Sequence, residues 1–515
     1  MWRSALLLGC ASLWCAPQCH AAFKSSYYSY VAALVALQQQ DYPAAVSYLS
    51  YTIQEDPDAG EAYSLLLTIG VLAGDSTLVA RHAEPALEHI QATQLLVRCA
   101  QLLLIGGRQD TARRYLEKAV ELDPSNSEAV LALGRLYISS EPERASAFYE
   151  RYLQRNPEDL DALFQAGIAR YQAGNPDGAA ETFREVLNRN PSYQDARMAL
   201  ADLLAGTTRQ AEAEQLYRDS LALNPDNTDA AVRLIVLLLT RGAADEALPY
   251  VQRLERLPPQ RFTPELAYLI AVYYEQTKQY RTAIRYMQRH IRDGRQPTPF
   301  PYLKLASYHT TLKEYSRAEQ VLRRAVRAFD SRDARRMLVF LYMDTNRFRE
   351  ARDMLLQMER NGEAPERVDF LLAHCHDRLG EFDATEQRLL RLLERDPDDH
   401  EALNYLGYSY ADRNTHLDRA ERMVARALEL QPENPAYLDS MGWVHYRRGR
   451  FREAEDYLRR ASEKMEDAVI LEHLGDTLTE LRRTEEARSA YRRALALDPR
   501  NPTIKRKLRN AGAHP

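Results

Sequence analysis

Between residues 400 and 500 the apolar and small side chains return at steps of three and four. Leu471, Leu474–Gly475 and Leu478 form one stripe, and Ala487, Tyr491 and Ala494 form a second. Such steps put side chains on one side of an α-helix, so each stripe predicts an amphipathic helix. Pro499 follows the second stripe and cannot continue it. The same succession occurs twice upstream. Leu403, Leu406–Gly407 and Tyr410 precede Ala420, Val424, Ala427 and Pro432; Leu438 and Met441–Gly442 precede Ala454, Leu458 and Ala461. Gly407, Gly442 and Gly475 lie 35 and 33 residues apart. Each unit is therefore expected to be two helices, A and B, closed face to face. The small residues let the backbones approach, and the leucines and tyrosine fill the remaining gap.

A unit of this size cannot bury its own apolar faces and needs neighbours. The pattern does extend upstream: Pro157, Pro191, Pro225 and Pro259 are each 34 residues apart. In the better copies the eighth position is Gly or Ala, the twentieth Ala and the twenty-fourth large. The first unit spans about 26–58. The second, from about Gly60, keeps Tyr63, Leu66 and Gly74, but its helix B is blurred. Units starting near Pro264, Pro299, Arg332 and Glu366 are looser. A repeat of ~34 residues with this signature resembles the tetratricopeptide repeat. The resemblance implies an all-α fold, an α-α superhelix or solenoid of about fourteen helix-turn-helix repeats. The expected organisation is a signal peptide over 1–21, an N-terminal array over 22–263 and a central, more degenerate array over 264–399. A C-terminal array over 400–501 and a capping helix and tail over 502–515 complete it. The Pro-rich, polar joints at 257–263 and 293–300 are the expected weak points of the stack.

The start of the chain bears on location. Arg3 supplies a positive charge, residues 5–16 are apolar, and Ala21 and Ala22 end the segment. That order is a secretory signal cleaved after Ala21. A competing reading is a lipoprotein signal at Leu7-Leu8-Gly9-Cys10, which would lipidate Cys10 and tie the protein to the outer membrane. No other stretch reaches the ~20 apolar residues of a membrane span. The chain has 515 residues and a net charge of −5, which argues against a dedicated nucleic-acid binder. Cys99 and Cys375 are the only cysteines beyond the first nineteen residues; they lie far apart, and Cys99 reads as a small buried hydrophobe.

No nucleophile elbow, phosphate loop, zinc-protease or dinucleotide motif is present, so neither catalysis, a cofactor nor a small-molecule substrate is expected. Residues 374–376 read His-Cys-His, yet adjacent helical residues point about 100° apart and cannot converge on one metal ion. Arg281, Arg285, Arg289 and Arg292, and then Arg323, Arg324 and Arg327, form basic helix faces that read mainly as solvated surface.

Positions 2, 5, 9, 12 and 13 of helix A share a face turned away from helix B. Here that face carries Phe340, Phe370, His374, Asn404, Tyr408, Asp439, Trp443, Tyr446 and Arg447. Large aromatics with a few charges are the composition of binding anchors. In the tetratricopeptide family the resemblance makes this face the concave groove, and it implies that a protein or peptide partner lies there. The final repeats, with Leu403-Asn404-Tyr405-Leu406-Gly407-Tyr408 and Leu438-Asp439-Ser440-Met441-Gly442-Trp443, resemble those of bacterial cell-envelope adaptors that recruit carboxy-terminal processing proteases. That resemblance implies an exported, non-catalytic scaffold. A structural part of an exopolysaccharide or protein secretion apparatus, and a cytoplasmic interaction protein, remain as alternatives. The carboxylate clamp of co-chaperones does not fit, because position 5 holds Arg336, Phe370, Asn404 and Asp439 rather than lysine.

Overall fold

A computed structural model describes residues 25–294 and 297–511, so the signal segment 1–21 and Cys10 lie outside the described residues. Among the described residues there are 29 helices and no strand. The chain divides into two compact units, Met1–Leu257 and Pro258–Pro515. The first runs from α1 (Ser25–Gln38) and α2 (Tyr42–Glu55) through α3 (Gly60–Ala73) and α4 (Ser76–Ala86) to α13 (Thr228–Thr240) and α14 (Ala244–Glu255). The second begins at α15 (Pro264–Gln276) and α16 (Tyr280–Asp293). It ends at α27 (Ala468–Glu480), α28 (Thr484–Leu497) and a single closing helix, α29 (Pro502–Asn510). Each unit holds seven helix pairs, the fourteen units expected from the repeat.

Within a pair, helix A packs on helix B, and several A helices also meet the helix A of the next pair, among them α3 with the third A helix and the last A helix with the one before it. The glycine of the repeat has a steric cause. A Cβ on Gly475 would sit 2.5 Å from Tyr491 Cε1, and one on Gly442 would sit 2.6 Å from Leu458 Cγ. The large residue of helix B thus lies flat against the bare backbone of helix A, and the two positions are one contact. The helix starts are fixed by short polar side chains. Asp399, Asn434 and Asp467 accept the backbone N–H groups of Ala402 (2.9 Å), Ala436 (3.0 Å) and Val469 (2.7 Å), which satisfies donors that a first turn leaves free.

The blurred second unit is explained by α4. It carries Pro85 inside and is only 11 residues long. The proline removes a backbone donor, so the helix stops early; Leu87 and Ile90 fill the vacated core from the following turn. His89 stacks on Tyr63 there, 5.3 Å between rings. The closing helix α29 buries Ile504, as a cap requires. Lys507 does not join Lys505, Arg506 and Arg509 on the exposed face of α29. Its ammonium is turned inward, donating to Glu472 (2.6 Å) and to Asp476, because those two carboxylates on α27 would otherwise be half-buried without a counter-charge. Cys99 and Cys375 are free and fully buried. Burial pushes their thiols up to about 12 and about 11.

Candidate functional site

The face chosen from the sequence lies on the A helices of the second unit: α19 (Arg332–Asp344), α21 (Val368–Arg378), α23 (His400–Asp412), α25 (Pro435–Arg447) and α27. Phe340 stands in solvent, 51% exposed. Phe370, His374, Asn404, Tyr408, Tyr446 and Arg447 are half-buried. Asp439 and Trp443 are buried, at 7% each. The expectation that Trp443 and Asp439 stand free in the groove is therefore corrected, and the cause is one residue of the next repeat, His473.

His473 on α27 stacks on Trp443 with 4.1 Å between ring centroids and 17° between planes. Trp443 stacks in turn on Tyr446, 4.7 Å away and nearly parallel. The Nδ1–H of His473 donates to Asp439 Oδ1 at 2.9 Å. Tyr408 approaches the same imidazole at 6.2 Å. The result is a sealed block that joins α23, α25 and α27. Burial works to lower the His473 pKa, but the Asp439 carboxylate outweighs it through charge and hydrogen bond. Asp476 and Glu472 add to that, and the pKa is held above the ordinary histidine value. Nothing in the hydrophobic periodicity marks His473. A search for opposite charges one repeat apart would have found it, since residues 439 and 473 are 34 apart.

The same arrangement recurs two repeats earlier. Tyr405 meets Phe370 edge to face at 5.8 Å and His374 at 6.3 Å, and its hydroxyl donates to Asp377 at 3.0 Å. Position 6 of one repeat thus closes over positions 5 and 9 of the repeat before it. Between these two closures, position 6 is Ser440, whose hydroxyl turns back to the Ala436 carbonyl. Here the polar wall is left incomplete: Asn404 Oδ1 and Trp443 Nε1 are buried and have no hydrogen-bond partner. An acceptor and a donor in that state each cost about 1–3 kcal/mol of desolvation.

Arg447 is a positioning group rather than a free charge. Its Nε and Nη2 donate to the carbonyls of Ala411 (3.0 Å) and Asp412 (2.6 Å) at the end of α23, as cations do at helix C-termini. Beyond Tyr446 the face opens into a cavity of about 640 Å³ lined by Asp476, Glu480, Arg482, Tyr491 and Lys507. Its charges are mixed. The His-Cys-His run splits as helix geometry demands. His374 faces Phe348 at 5.7 Å, Cys375 enters the core, and His376 pairs with Glu381 at 2.6 Å. Among the basic faces, Arg289 lies over the Phe262 ring at 3.7 Å and Arg323 pairs with Glu319 at 2.9 Å.

Comparison with known proteins gives a consistent picture. Two family models, both described as tetratricopeptide repeat, match the chain. One covers residues 164–228, 370–435, 410–468 and 440–502, and the other 103–170 and 205–273. Together they span more than half of it. No curated protein matches. Among solved structures, the chain is similar to a tetratricopeptide repeat protein from Parabacteroides merdae, with 18% identity and a TM-score of 0.35 over 49% of this chain and 100% of that one. It is also similar to a chain of the APC/C hetero-tetramer Cut9–Hcn1, with 15% identity and a TM-score of 0.30 over 95% of this chain and 97% of that one. A third is YrrB, a TPR protein with an unusual peptide-binding site, at 20% identity and a TM-score of 0.30 over 35% of this chain and 95% of that one.

Proposed function

Because the chain belongs to the tetratricopeptide-repeat proteins, we propose that it is a non-catalytic scaffold that holds a protein segment along the A helices of its C-terminal repeats. The observation that carries this reading is the pair of unpartnered atoms, Asn404 Oδ1 and Trp443 Nε1, set among half-buried aromatic rings. A main-chain amide offers one N–H and one C=O, which are the two groups that an orphan acceptor and an orphan donor lack. Phe370, Tyr408 and Tyr446 supply apolar area beside them, and Phe340 extends the face outward.

The place of work we propose is the bacterial cell envelope, reached through the N-terminal signal, with Cys10 as the lipid-bearing residue if the protein is anchored. In that setting the scaffold brings a protease or an assembly factor to its client. The support for this part is the order of charged, apolar and small residues over 1–22 and the likeness of residues 403–447 to envelope adaptors.

The groove is tested by chemical crosslinking in the envelope fraction, comparing wild type with Tyr446→Ala and Asn404→Ala. Asn404→Ala leaves the stacked block whole and Tyr446→Ala takes away its outer, half-buried ring; both should lose the crosslinked partner by tenfold or more. A partner retained in full by both variants would remove this face from the reading. Fusion of residues 1–25 to a reporter active only after export tests location, and radiolabelled palmitate separates the anchored from the cleaved form.

A further inference from the structure

Three hairpins of the second unit carry a buried histidine at the same place. His309, His376 and His445 stand in the last turns of α17 (Pro299–Thr311), α21 and α25. In each, the backbone N–H of the residue five places on returns to the histidine carbonyl, at 2.8, 2.8 and 2.9 Å, so the three turns share one path. That residue caps α18 (Tyr315–Phe329), α22 (Phe382–Arg395) or α26 (Phe451–Lys464). In the first two it is a glutamate. Glu314 accepts from His309 Nδ1 at 2.8 Å, and Glu381 accepts from His376 Nδ1 at 2.6 Å. In the third it is Arg450. An arginine side chain has no acceptor, and the Nδ1 of His445 is buried with no hydrogen-bond partner. The residue is 8% exposed, and its ring lies nearly flat on Tyr457, 5.4 Å away.

We propose that His445 makes the α25–α26 hairpin an acid-opened latch, closed while the imidazole is neutral and loosened when it takes up a proton. A second ring proton creates a buried cation, and the new N–H finds no carboxylate in the place where the other two hairpins hold one. The nearby carboxylates are engaged or outside. Glu421 of α24 (Leu417–Leu430) already accepts from Arg450 at 3.0 Å and pairs with Arg448 at 3.1 Å, while Glu453 of α26 is exposed. Burial holds the His445 pKa below the ordinary histidine value; Glu421 and Glu453 oppose that shift, and Arg450 and Arg448 add to it. The charges that α23 and α27 bring to this region, Asp412, Glu472 and Asp476, act on Tyr408 and His473. His473 stacks on Trp443, which points about 200° around the helix from His445. The contribution of the neutral His445 ring is therefore present above about pH 6.5 and is lost as pH falls toward the folded value. Trp443 and Tyr446 stand on the same helix, so the latch also governs the proposed groove; that consequence rests on the reading above, and the latch itself does not.

Hydrogen exchange of the full chain from about pH 7.5 to about pH 5, taken as protection over the intrinsic amide rate at each pH, tests this. Protection in α25 and α26 should fall severalfold, by at most about tenfold per pH unit below 6.5. His473 is already charged in that range and adds no slope. Arg450→Glu supplies the acceptor that the other two hairpins have and should remove most of the fall. His445→Gln takes up no proton and should flatten it; where that variant fails to fold, Arg450→Glu decides. The α17–α18 hairpin, with Glu314 in place, should fall by a smaller factor. Wild-type protection in α25 and α26 that stays constant as pH falls would overturn the latch. So would an equal fall in wild type and Arg450→Glu, or an equal fall in α17–α18. No partner is present in this measurement, so its outcome is separate from that of the groove.

Discussion

The helices α1 and α25 occupy the same place in their repeats and are nearly the same length, 14 and 13 residues. Their surroundings differ. α25 packs against α23, α26 (Phe451–Lys464), α27 and the intervening α24 (Leu417–Leu430), whereas α1 packs mainly against α2. The consequence is large. In α25 nine consecutive residues, Tyr437 to His445, are buried. In α1 only two serines and two alanines are. Burial in a repeat array is therefore lent by neighbours more than it is specified by the helix. Even Asp439 goes under in α25, because the next repeat delivers His473 to meet it; among the described residues no neighbour covers the valines of α1.

Substitutions can break this comparison, beginning with the largest effect. Trp443→Ala empties a sealed space between His473 and Tyr446 and should cost about 3–5 kcal/mol, read as faster hydrogen exchange of α25 and α27. The loss should stay local, since repeats contact only their neighbours. Were exchange in α25 unchanged, the block would not be packed as described. Gly442→Ala forces a methyl against Leu458 and should cost about 1–3 kcal/mol by the same measurement.

Asp439→Ala comes next. It leaves a buried imidazole without its acceptor, at about 1–3 kcal/mol. The imidazole also titrates. The folded pKa of His473 lies above its unfolded value of about 6.5. Its contribution is thus complete below that pH and is lost as pH rises through the folded value. The stability of the C-terminal repeats should therefore fall as pH rises from about 6.5 through that window, and His473→Gln should flatten the profile. An identical slope in wild type and variant would assign the titration elsewhere. The smallest effect is expected in α1: Leu34→Ala should change stability by no more than about 0.5 kcal/mol, because its side chain is already in water in the single chain.

Most of the fold was legible in the residues. The three- and four-residue steps located the helix pairs, and the regular prolines located their ends. The small residue at position 8 and the bulky one at position 24 were readable, but that the two form one contact was shown by the structure. The legible part of the site was its register: Phe370, His374, Asn404, Tyr408, Asp439 and Trp443 sit at positions 5 and 9 of their A helices. Its exposure was not legible. Whether a residue at position 9 is open depends on what position 6 brings one repeat later. Tyr405 and His473 close their neighbours, while Ser440 leaves Asn404 Oδ1 without a partner. The inward turn of Lys507 was hidden for the same reason, because its two carboxylates lie on another helix.

By itself the sequence determined the helices, their pairing and the stripe each turns to its partner, because these follow from periodicities within about 34 residues. The tertiary structure alone decided which faces stay open. Burial of Trp443 and exposure of Val31 arise from contacts between repeats, and a contact between repeats is a property of two segments at once. Local pattern carries no record of what lies across the gap.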